Sequence, residues 1–395
     1  MDFRIAWLES ISDVDRTAWD ELATPLATPF LEWDWLHQLE ASGSISPKTG
    51  WVPRHMTVWS GNRLVAAAPL YIKHHSSGEF VFDYAWADLA NRIGAGYYPK
   101  LVGMSPFTPV PAYRFLIAPS ENSARLEETI LDEIHRFCRR RRISGCSFLY
   151  IDPQWRKRMA HFGFSTWMHQ SYQWENHGYR NFEEYLSTFN ANQRHNIRRE
   201  RKKIEEMGLR IHAYSHDAIP KDFLPLVYRF YERTNDKFGH WGCKFLSPAF
   251  FDGIYRQFRH RLLLVGAFRE NGEKLPVGMA LLLHKGDQLF GRYWGSSFDI
   301  RMLHFNACYY APIEWAIENG IRRFDPGIGS NHKTRRGFVA VPNYSLHRFY
   351  DLRMQHILET HIEEINQAEW EYIRELNDAI PHAKAADRVA GQTSL

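Results

Sequence analysis

Hydrophobic positions along the chain switch repeatedly between the alternating spacing of strands and the three-to-four-residue spacing of helices. In the first half, predicted helices cover residues 12–23, 31–42 and 123–142. Predicted strands cover residues 3–8, 54–60, 63–75, 78–87, 98–103, 113–118 and 146–151. The Gly-Asn pair at 61–62 predicts a tight turn between two of these strands. This mixture indicates an α/β (α+β) fold in which helices flank mixed central sheets.

The second half repeats the same order of elements. Its predicted helices cover residues 181–207, 223–237, 248–259 and a segment that begins near His304. Its predicted strands cover residues 262–268, 275–285, 288–296 and 321–327. Residues 62–86 and 273–294 share two turns, an apolar strand and an aromatic strand that ends in Trp, although two ordinary hairpins would also look alike. We expect domains at 1–180 and 181–360, the second with the main donor site, and a C-terminal helix and flexible tail at 361–395.

Composition restricts the kinds of site that are expected. The chain has 395 residues, of which 44% are apolar and 15% aromatic, as in a globular protein with a large core. Its formal net charge is only +4, so any site for a polyanion must come from local clusters of cations. The four cysteines lack metal-ligand spacing, which predicts reduced thiols and no metal site. An acidic N-terminus and the lack of a long apolar run predict a soluble, cytoplasmic protein.

The segment "LFGRYWGSSFDIRMLHFNACYYAPIEWAIENG" contains the first candidate site. Its second part has the apolar spacing of a helix with one buried face. Polar and aromatic side chains cluster where a strand leads into the N-terminus of this helix, and helix N-termini bind anions. The alternative is that these polar side chains only cap the helix at the protein surface and bind no ligand. The predicted substrate-binding residues here are Arg292, Tyr293, Trp294, Asn306 and Tyr309, with His304 as a candidate catalytic residue.

The loop "DPGIGSNHKTRRGF" at 325–338 is the second candidate site. Lys333 and Arg336 are predicted to be solvent-exposed cations that bind a phosphate or carboxylate of the donor. His332 is a candidate general base with an ordinary pKa near ~6.5 and is not ranked against His304. Asp325, at a strand end, is predicted to orient a histidine or the acceptor amine, although aspartate there often only forms a turn. A solvated basic loop is the alternative, above all for Arg335.

Two further clusters complete the candidate residues. Asp83, Asp88 and Lys100 lie among aromatic residues and are predicted to form an acceptor-binding wall, with an aromatic core and surface acids as the alternative. In the basic run "RHNIRRERKK", the second half has acidic partners four residues on. Its first half does not. Cations without acidic partners suit an RNA backbone, and the candidates are Arg194, Arg198 and Arg199.

Several strings resemble one known family. They are "FYERTNDKFGHWGCKFLSPAFFDGI", the segment and loop quoted above, and "GWVPRHMTVW…PLYIKHHSSGEFVFDYAWAD…YYPKL". Together, over roughly residues 30–349, they are similar to the Fem-like (peptidoglycan biosynthesis/recognition) family of the GNAT superfamily. The resemblance implies two tandem GNAT-like domains. It also implies transfer of an aminoacyl group from aminoacyl-tRNA to an amine, or N-acyl transfer more generally.

The sequence departs from the family pattern at two places. Members usually have Glu at the position of Asn306, and Gln-Gly-Glu-His-Lys where this chain has "GSNHK" at 329–333. If those carboxylates act on the acceptor amine in relatives, this protein uses another acceptor or another base. A family member that binds ligands without catalysis is therefore a second hypothesis.

The identity of the donor stays open between two classes. Ordinary GNAT enzymes bind acyl-CoA through a [QR]-x-x-G-x-[GA] loop that opens a helix, and the nearest string here, "NRIGAG" at 91–96, begins with Asn. Doubled architecture and unpaired arginines favour aminoacyl-tRNA, with acyl-CoA as the alternative. No Ser-His-Asp or Cys-His order is evident, so direct transfer to the amine of a small molecule or peptide is expected, with no tightly bound cofactor.

Overall fold

The computed structural model describes residues 3–239, 242–270, 274–329 and 331–381. The helices are α1 (Arg16–Ala23), α2 (Trp33–Ala41), α3 (Tyr84–Arg92), α4 (Ser123–Arg140), α5 (Pro153–Met159), α6 (Phe182–Ser187), α7 (Ala191–Glu206), α8 (Phe223–Asp236), α9 (Pro248–Gln257), α10 (Leu303–Phe305), α11 (Ala311–Glu318) and α12 (Leu352–Asp378). The strands are β1 (Arg4–Leu8), β2 (Trp51–Pro53), β3 (His55–Ser60), β4 (Arg63–Ala68), β5 (Leu70–Lys73), β6 (Lys100–Gly103), β7 (Leu116–Ile117), β8 (Gly145–Phe148), β9 (Ser165–Glu175), β10 (Leu209–Ser215), β11 (Leu262–Arg269), β12 (Gly278–Lys285), β13 (Gln288–Ser296), β14 (Arg323–Asp325) and β15 (Val339–Phe349). The predicted mixed α/β fold is confirmed.

The chain forms two compact units that interleave along the sequence. The first unit contains residues up to Gln170, together with Cys243–Arg259 and Pro342–Glu371. The second contains Ser171–Gly242, His260–Val341 and the described residues from Tyr372 onward. This division differs from the predicted continuous ranges. The predicted flexible tail lies outside the described residues beyond residue 381.

Packing within the first unit explains why α9 belongs to it. The ring of Phe250 on α9 meets Trp35 on α2 edge to face, with centroids 5.2 Å apart. Gln38 also donates a hydrogen bond of 2.9 Å to Gln257. Contacts between residues so distant in sequence leave no local pattern, which is why the sequence placed α9 in the second domain.

The first unit contains two sheets. One has the strand order β1-β3-β4-β7, and the predicted hairpin between β3 and β4 is confirmed by antiparallel pairing from Met56↔Ala68 to Ser60↔Arg63. The other joins β2, β5, β6, β8 and the end of β15, with β6 and β8 parallel. The single apolar strand predicted at 63–75 is divided between β4 and β5, which lie in different sheets, and the aromatic stretch that follows leads into α3 instead of forming a second strand. Residues 62–86 therefore do not repeat the β12–β13 hairpin.

One predicted strand of the first unit is absent: residues 78–83 form turns and irregular backbone, and the rest of the stretch is helical. Residues 78–87 have strand-like aromatic alternation, but α3 begins at Tyr84 and buries Trp86 and Ala90 one turn apart. These two side chains join a hydrophobic cluster with Met354 and Leu358 of α12. The apolar face of α3 packs against α12, which is distant in sequence, so the local pattern could not reveal this contact.

The second unit is built on one mixed sheet. Strands β10 to β13 are antiparallel neighbours, and β14 pairs parallel to β13 and antiparallel to the end of β9. Gly295 allows α8 to pack directly on β13, since a Cβ there would lie only 2.1 Å from the carbonyl oxygen of Phe230. Among the described residues, no helix has the length and apolar character needed to cross a membrane.

Two predicted helices of this unit are interrupted. The predicted helix at 181–207 consists of α6 and α7, with Asn190 capping α7 through a 2.9 Å hydrogen bond from the Gln193 amide. The helix predicted near His304 consists of α10, a π-helical turn at Asn306–Tyr310, and α11. Single π-helical turns are rare and are frequent at functional sites.

A buried ionic cluster crosses the second sheet of the first unit. Lys73 and Lys100 are directly opposed on β5 and β6, and they are 0% and 4% exposed. Lys100 donates to Glu79 at 2.7 Å and to Asp83. Burial alone would lower the pKa of Lys100, but the two carboxylates raise it above its ordinary value. Burial lowers the pKa of Lys73 to about 7, because its ammonium lies over the ring of Trp51 without a carboxylate in hydrogen-bond contact.

A chain of buried hydrogen bonds lies in the same unit. Ser345 Oγ is 2.7 Å from Nε2 of His169 and 2.7 Å from Nε2 of His347. The other nitrogen of His347 is 3.0 Å from Ser147 Oγ. Burial lowers the pKa of His169 to about 4 and that of His347 to about 3, so both rings are neutral in the folded protein near neutral pH.

The two opposed lysines should respond differently to replacement. Lys100→Met should lower the free energy of unfolding by about 3 to 5 kcal/mol, because Glu79 and Asp83 would remain buried without their cation. Lys73→Met should lower it by less than about 1 kcal/mol, since burial already disfavours the charge of Lys73. Urea unfolding of both variants measures the difference. Equal losses would show that packing, rather than charge pairing, sets the role of these lysines.

The stability of the protein should fall on mild acidification. A histidine whose folded pKa is depressed gives its full contribution above the unfolded pKa of ~6.5, and that contribution is lost as the pH falls towards the folded value. Between about pH 7 and pH 5, His347 alone should account for about 2 kcal/mol of the decrease. The same acidification should cost His347→Asn correspondingly less free energy of unfolding. An identical decrease in both proteins would contradict the assignment of a neutral, buried His347.

Candidate functional site

The candidate site of the second unit begins where β14 ends beside β13. The two strands pair over only three residues, Gln288–Phe290 with Arg323–Asp325, and β13 then continues alone on this side. The Asp325 carboxylate accepts a 2.7 Å hydrogen bond from the Gly327 amide, so it stabilises the turn that follows the strand. Burial raises the pKa of Asp325 to about 6.

Lys333 holds the same turn from the other side. It lies on a 3₁₀ helix, Asn331–Arg336, and its Nζ donates to the Gly327 carbonyl at 2.6 Å and lies 5.1 Å from the centre of the Tyr172 ring. Lys333 is 1% exposed, and burial lowers its pKa to about 8 although Asp325 opposes this shift. The prediction that Lys333 is an exposed cation is therefore wrong.

Arg336 is also buried, at 4% exposure. One terminal nitrogen donates to both oxygens of Glu200 at 2.9 and 3.1 Å, and the other donates to the His332 carbonyl at 2.8 Å. The guanidinium carbon lies 3.4 Å from the centre of the Phe305 ring, where cation–π attraction adds to the ion pair. The structure therefore pairs Arg336 within the protein, where the sequence predicted a solvent-exposed anion binder.

Glu200 is the functional candidate that the sequence reasoning missed. Its carboxylate also accepts from Tyr310 Oη, and its backbone carbonyl accepts from the Asn306 side chain at 3.1 Å. Two features of the sequence contained the signal. Glu200 is the single acid among six cations between residues 194 and 203, and it lies three residues after Ile197 and four before Ile204 on the buried face of α7.

His332 lines a cavity of about 570 Å³ that lies entirely within the second unit. Helix α7, the 3₁₀ helix, Phe305 and the end of α12 form its walls. The Nε2 atom of His332 is 3.2 Å from Tyr309 Oη. Burial, with help from the nearby Arg336 and Lys333, lowers the pKa of His332 to about 4, so the expected pKa near ~6.5 is wrong.

His304 faces a different space. It lines a smaller cavity of about 330 Å³ together with Trp294, and its ring centre is 5.9 Å from that of His332. Burial and the neighbouring His332 lower the pKa of His304 to about 3. Both histidines are therefore neutral near pH ~7, but they line different cavities.

The remaining residues predicted at the strand-to-helix junction fall into separate environments. Tyr293 packs edge to face on Tyr231 with ring centres 5.1 Å apart. Arg292 lies 5.7 Å from the Tyr293 ring and opposes the raised pKa of Asp325. Asn306 is 4% exposed and donates to the carbonyls of Glu200 and Met302, so it stabilises the π-helical turn.

The three predicted RNA-binding arginines do not form one strip. Arg194 donates to the Phe189 carbonyl, and Arg198 pairs with Glu183. Only Arg199 lines the larger cavity, where it donates to Asn196 at 3.1 Å. Each arginine therefore has its own environment.

The predicted acceptor wall of the first unit is divided between core and surface. Asp83 and Lys100 belong to the buried ionic cluster described above. Asp88 forms an exposed pair with Arg92 one turn further along α3. In the described ranges, no group of three or more His, Cys, Asp or Glu side chains is arranged to hold a metal ion.

Comparison with solved structures supports the fold. The crystal structure of FemX superposes with a TM-score of 0.54 at 11% identity, covering 91% of this chain and 100% of that one. The C-terminal domain (DUF2156) of a protein assigned as a lysylphosphatidylglycerol synthetase from Agrobacterium fabrum gives 0.52 at 10% identity, with coverages of 89% and 97%.

No curated protein matches the chain significantly. A family model does, and it covers residues 10–384. Its description is FemAB-like, peptidoglycan biosynthesis/recognition. The match extends over both units, so the chain belongs to the FemAB-like family.

Proposed function

We propose that the protein is an acyltransferase of Fem type, which moves an aminoacyl group from aminoacyl-tRNA to the amine of a small molecule or peptide. The observation that carries this proposal is a neutral histidine, His332, in the wall of a cavity of about 570 Å³. Amide formation from an ester and an amine requires a group that removes a proton from nitrogen. Near neutral pH His332 is in the unprotonated form that can accept this proton, although its lowered pKa makes it a weaker base than a free imidazole. Family membership supports the same class of reaction.

The proposed reaction is a direct transfer. The acceptor ammonium first releases one proton to solvent, and the free amine attacks the ester carbonyl, so that a C–N bond forms. His332 accepts the proton from the positively charged nitrogen of the tetrahedral adduct and gives it to the ribose oxygen as the C–O bond breaks, and that oxygen leaves as a hydroxyl. In the tautomer that donates Nε2–H to Tyr309, Nδ1 is the basic nitrogen. Burial raises the pKa of the Tyr309 hydroxyl, so Tyr309 stays neutral and orients the ring.

The proposed RNA contact is the exposed face of α7. Arg198, Lys202 and Lys203 have side chains that are 56%, 75% and 55% exposed. They pair with acids at the surface, and such pairs are weak enough to exchange for phosphate. This face adjoins the cavity, because Arg199 and Glu200 of the same helix line it.

The donor can be tested by binding and by transfer. Binding of aminoacyl-tRNA should weaken steeply with salt, and replacing Arg198, Lys202 and Lys203 with Gln should lower the slope of log K against log salt by about 2 to 3. Arg210→Gln, an exposed arginine paired with Glu270, is the control and should leave the slope unchanged. Labelled aminoacyl-tRNAs and acyl-CoAs are then compared as donors. Transfer from acyl-CoA alone would replace the RNA donor with the acyl-CoA alternative.

The two histidines should differ in their effect on catalysis. His332→Gln should lower kcat by about 10², the low end of the usual contribution of a general base because the lowered pKa weakens the base, with little change in donor binding. His304→Gln is the matched control and should lower kcat by less than about tenfold, since it removes no general base. Histidine NMR should show both wild-type rings neutral down to about pH 5. A larger effect at His304, or titration of His332 near ~6.5, would reject His332 as the base.

A further inference from the structure

The larger cavity has a specific pattern of charge. Among its described lining residues, Glu200 contributes the only carboxylate. Arg199 and Arg335 contribute exposed guanidinium groups from α7 and from the 3₁₀ helix. The third arginine, Arg336, is buried against Glu200. A negative group beside His332 and two exposed positive groups therefore face one space.

The carboxylate of Glu200 is held in place and retains accepting capacity. Arg336 and Tyr310 supply three hydrogen bonds to its two oxygens, whereas a carboxylate accepts about four. Its side chain is 13% exposed, so part of it reaches the cavity surface. Arg336 also donates to the His332 carbonyl, and this links the position of the carboxylate to that of the proposed base.

Hydrogen bonds hold the backbone of Arg335 and the side chain of Arg199. The backbone carbonyl of Arg335 accepts a 2.6 Å hydrogen bond from the Gln193 side chain, and Arg199 is bonded to Asn196 on the same helix. Guanidinium groups bind carboxylates and phosphates in a bidentate manner. A cavity of about 570 Å³ is within the usual size range of small-molecule sites.

We propose that this cavity binds the acceptor as a zwitterion, with its ammonium group at Glu200 beside His332 and its anionic group at Arg199 and Arg335. The acceptor class is then an amino acid, a short peptide or a similar molecule that carries both charges. Only the description of the bound molecule as the acceptor rests on the proposed acyl transfer. The charge pattern itself predicts binding without any donor.

Three related probes separate the two charges. They are dialanine, N-acetyl-dialanine without the ammonium, and dialanine amide without the carboxylate, each in both enantiomeric forms. Calorimetry with the full chain and no donor should show dialanine binding about ten- to a hundredfold more tightly than either derivative, as expected for loss of a charge-assisted contact. Absence of dialanine binding at millimolar concentration, or equal binding of all three probes, would overturn the proposal.

Variants assign each charge to its residues. Arg199→Gln and Arg335→Gln should abolish the preference for dialanine over its amide and keep the preference over the N-acetyl form. Glu200→Gln should abolish the preference over the N-acetyl form and keep the preference over the amide. The melting temperature of this variant is also measured, because Arg336 loses its partner. Arg210→Gln is the control and should alter neither preference. Since both cavity arginines are exposed, their variants test the proposal even if Glu200→Gln fails to fold.

The outcome for the cavity can be distinguished from the outcome for the enzyme. Selective binding of dialanine without transfer from any donor would keep the cavity assignment and reject the proposed acyl transfer. Transfer that proceeds equally well to amines with and without an anionic group would keep the enzyme and reject the zwitterion site. Loss of all three probes to the same degree in Arg199→Gln or Arg335→Gln would assign those residues a structural role only.

Discussion

The ion pair between Glu200 and Arg336 is the interaction on which the second unit's site depends. It joins α7 to the 3₁₀ helix. Arg336 also donates a hydrogen bond to the His332 carbonyl and lies over the ring of Phe305, so the same side chain positions both residues. Two buried charges lose hydration, and that loss can exceed their mutual attraction unless further hydrogen bonds satisfy them. Tyr310 supplies one such bond. The pair therefore fixes the position of the site through geometry.

The first unit also contains buried charged side chains, and their pKa values depend on their partners. Lys100 meets two carboxylates, while the opposed Lys73 meets an aromatic ring and a carbonyl. In the second unit, Lys333 likewise meets a carbonyl and an aromatic ring, and burial lowers its pKa. In both units, a lysine ammonium without a carboxylate in hydrogen-bond contact has a lowered pKa. Of these three buried lysines, only Lys100, which contacts two carboxylates, has a raised pKa.

Local pattern predicted most elements and few of the site's contacts. Strands such as β11 and β13 were read correctly because their apolar runs and turns lie within a few residues. The strand assigned to 78–87 and the placement of α9 failed because their partners lie on α12 and α2. Lys333 and Arg336 were selected as functional residues, but a run of cations carries no information on which side chains turn inward. Glu200 was missed because its basic neighbours dominate the composition of α7.

Two asparagines at positions where carboxylates were expected lie near Glu200. The resemblance to the Fem-like family implies glutamates at two positions where this chain has Asn306 and Asn331. In the structure, Asn306 donates to the backbone carbonyl of Glu200, and Asn331 lines the same cavity as the Glu200 carboxylate. An additional glutamate at either position would lie close to Glu200, and like charges in a half-buried site oppose each other. Glu200 therefore supplies the single carboxylate among the described residues that line this cavity, and His332 lies in the same wall. In the proposed reaction, this carboxylate holds the ammonium group of the acceptor, and the unprotonated His332 takes a proton from nitrogen after the attack.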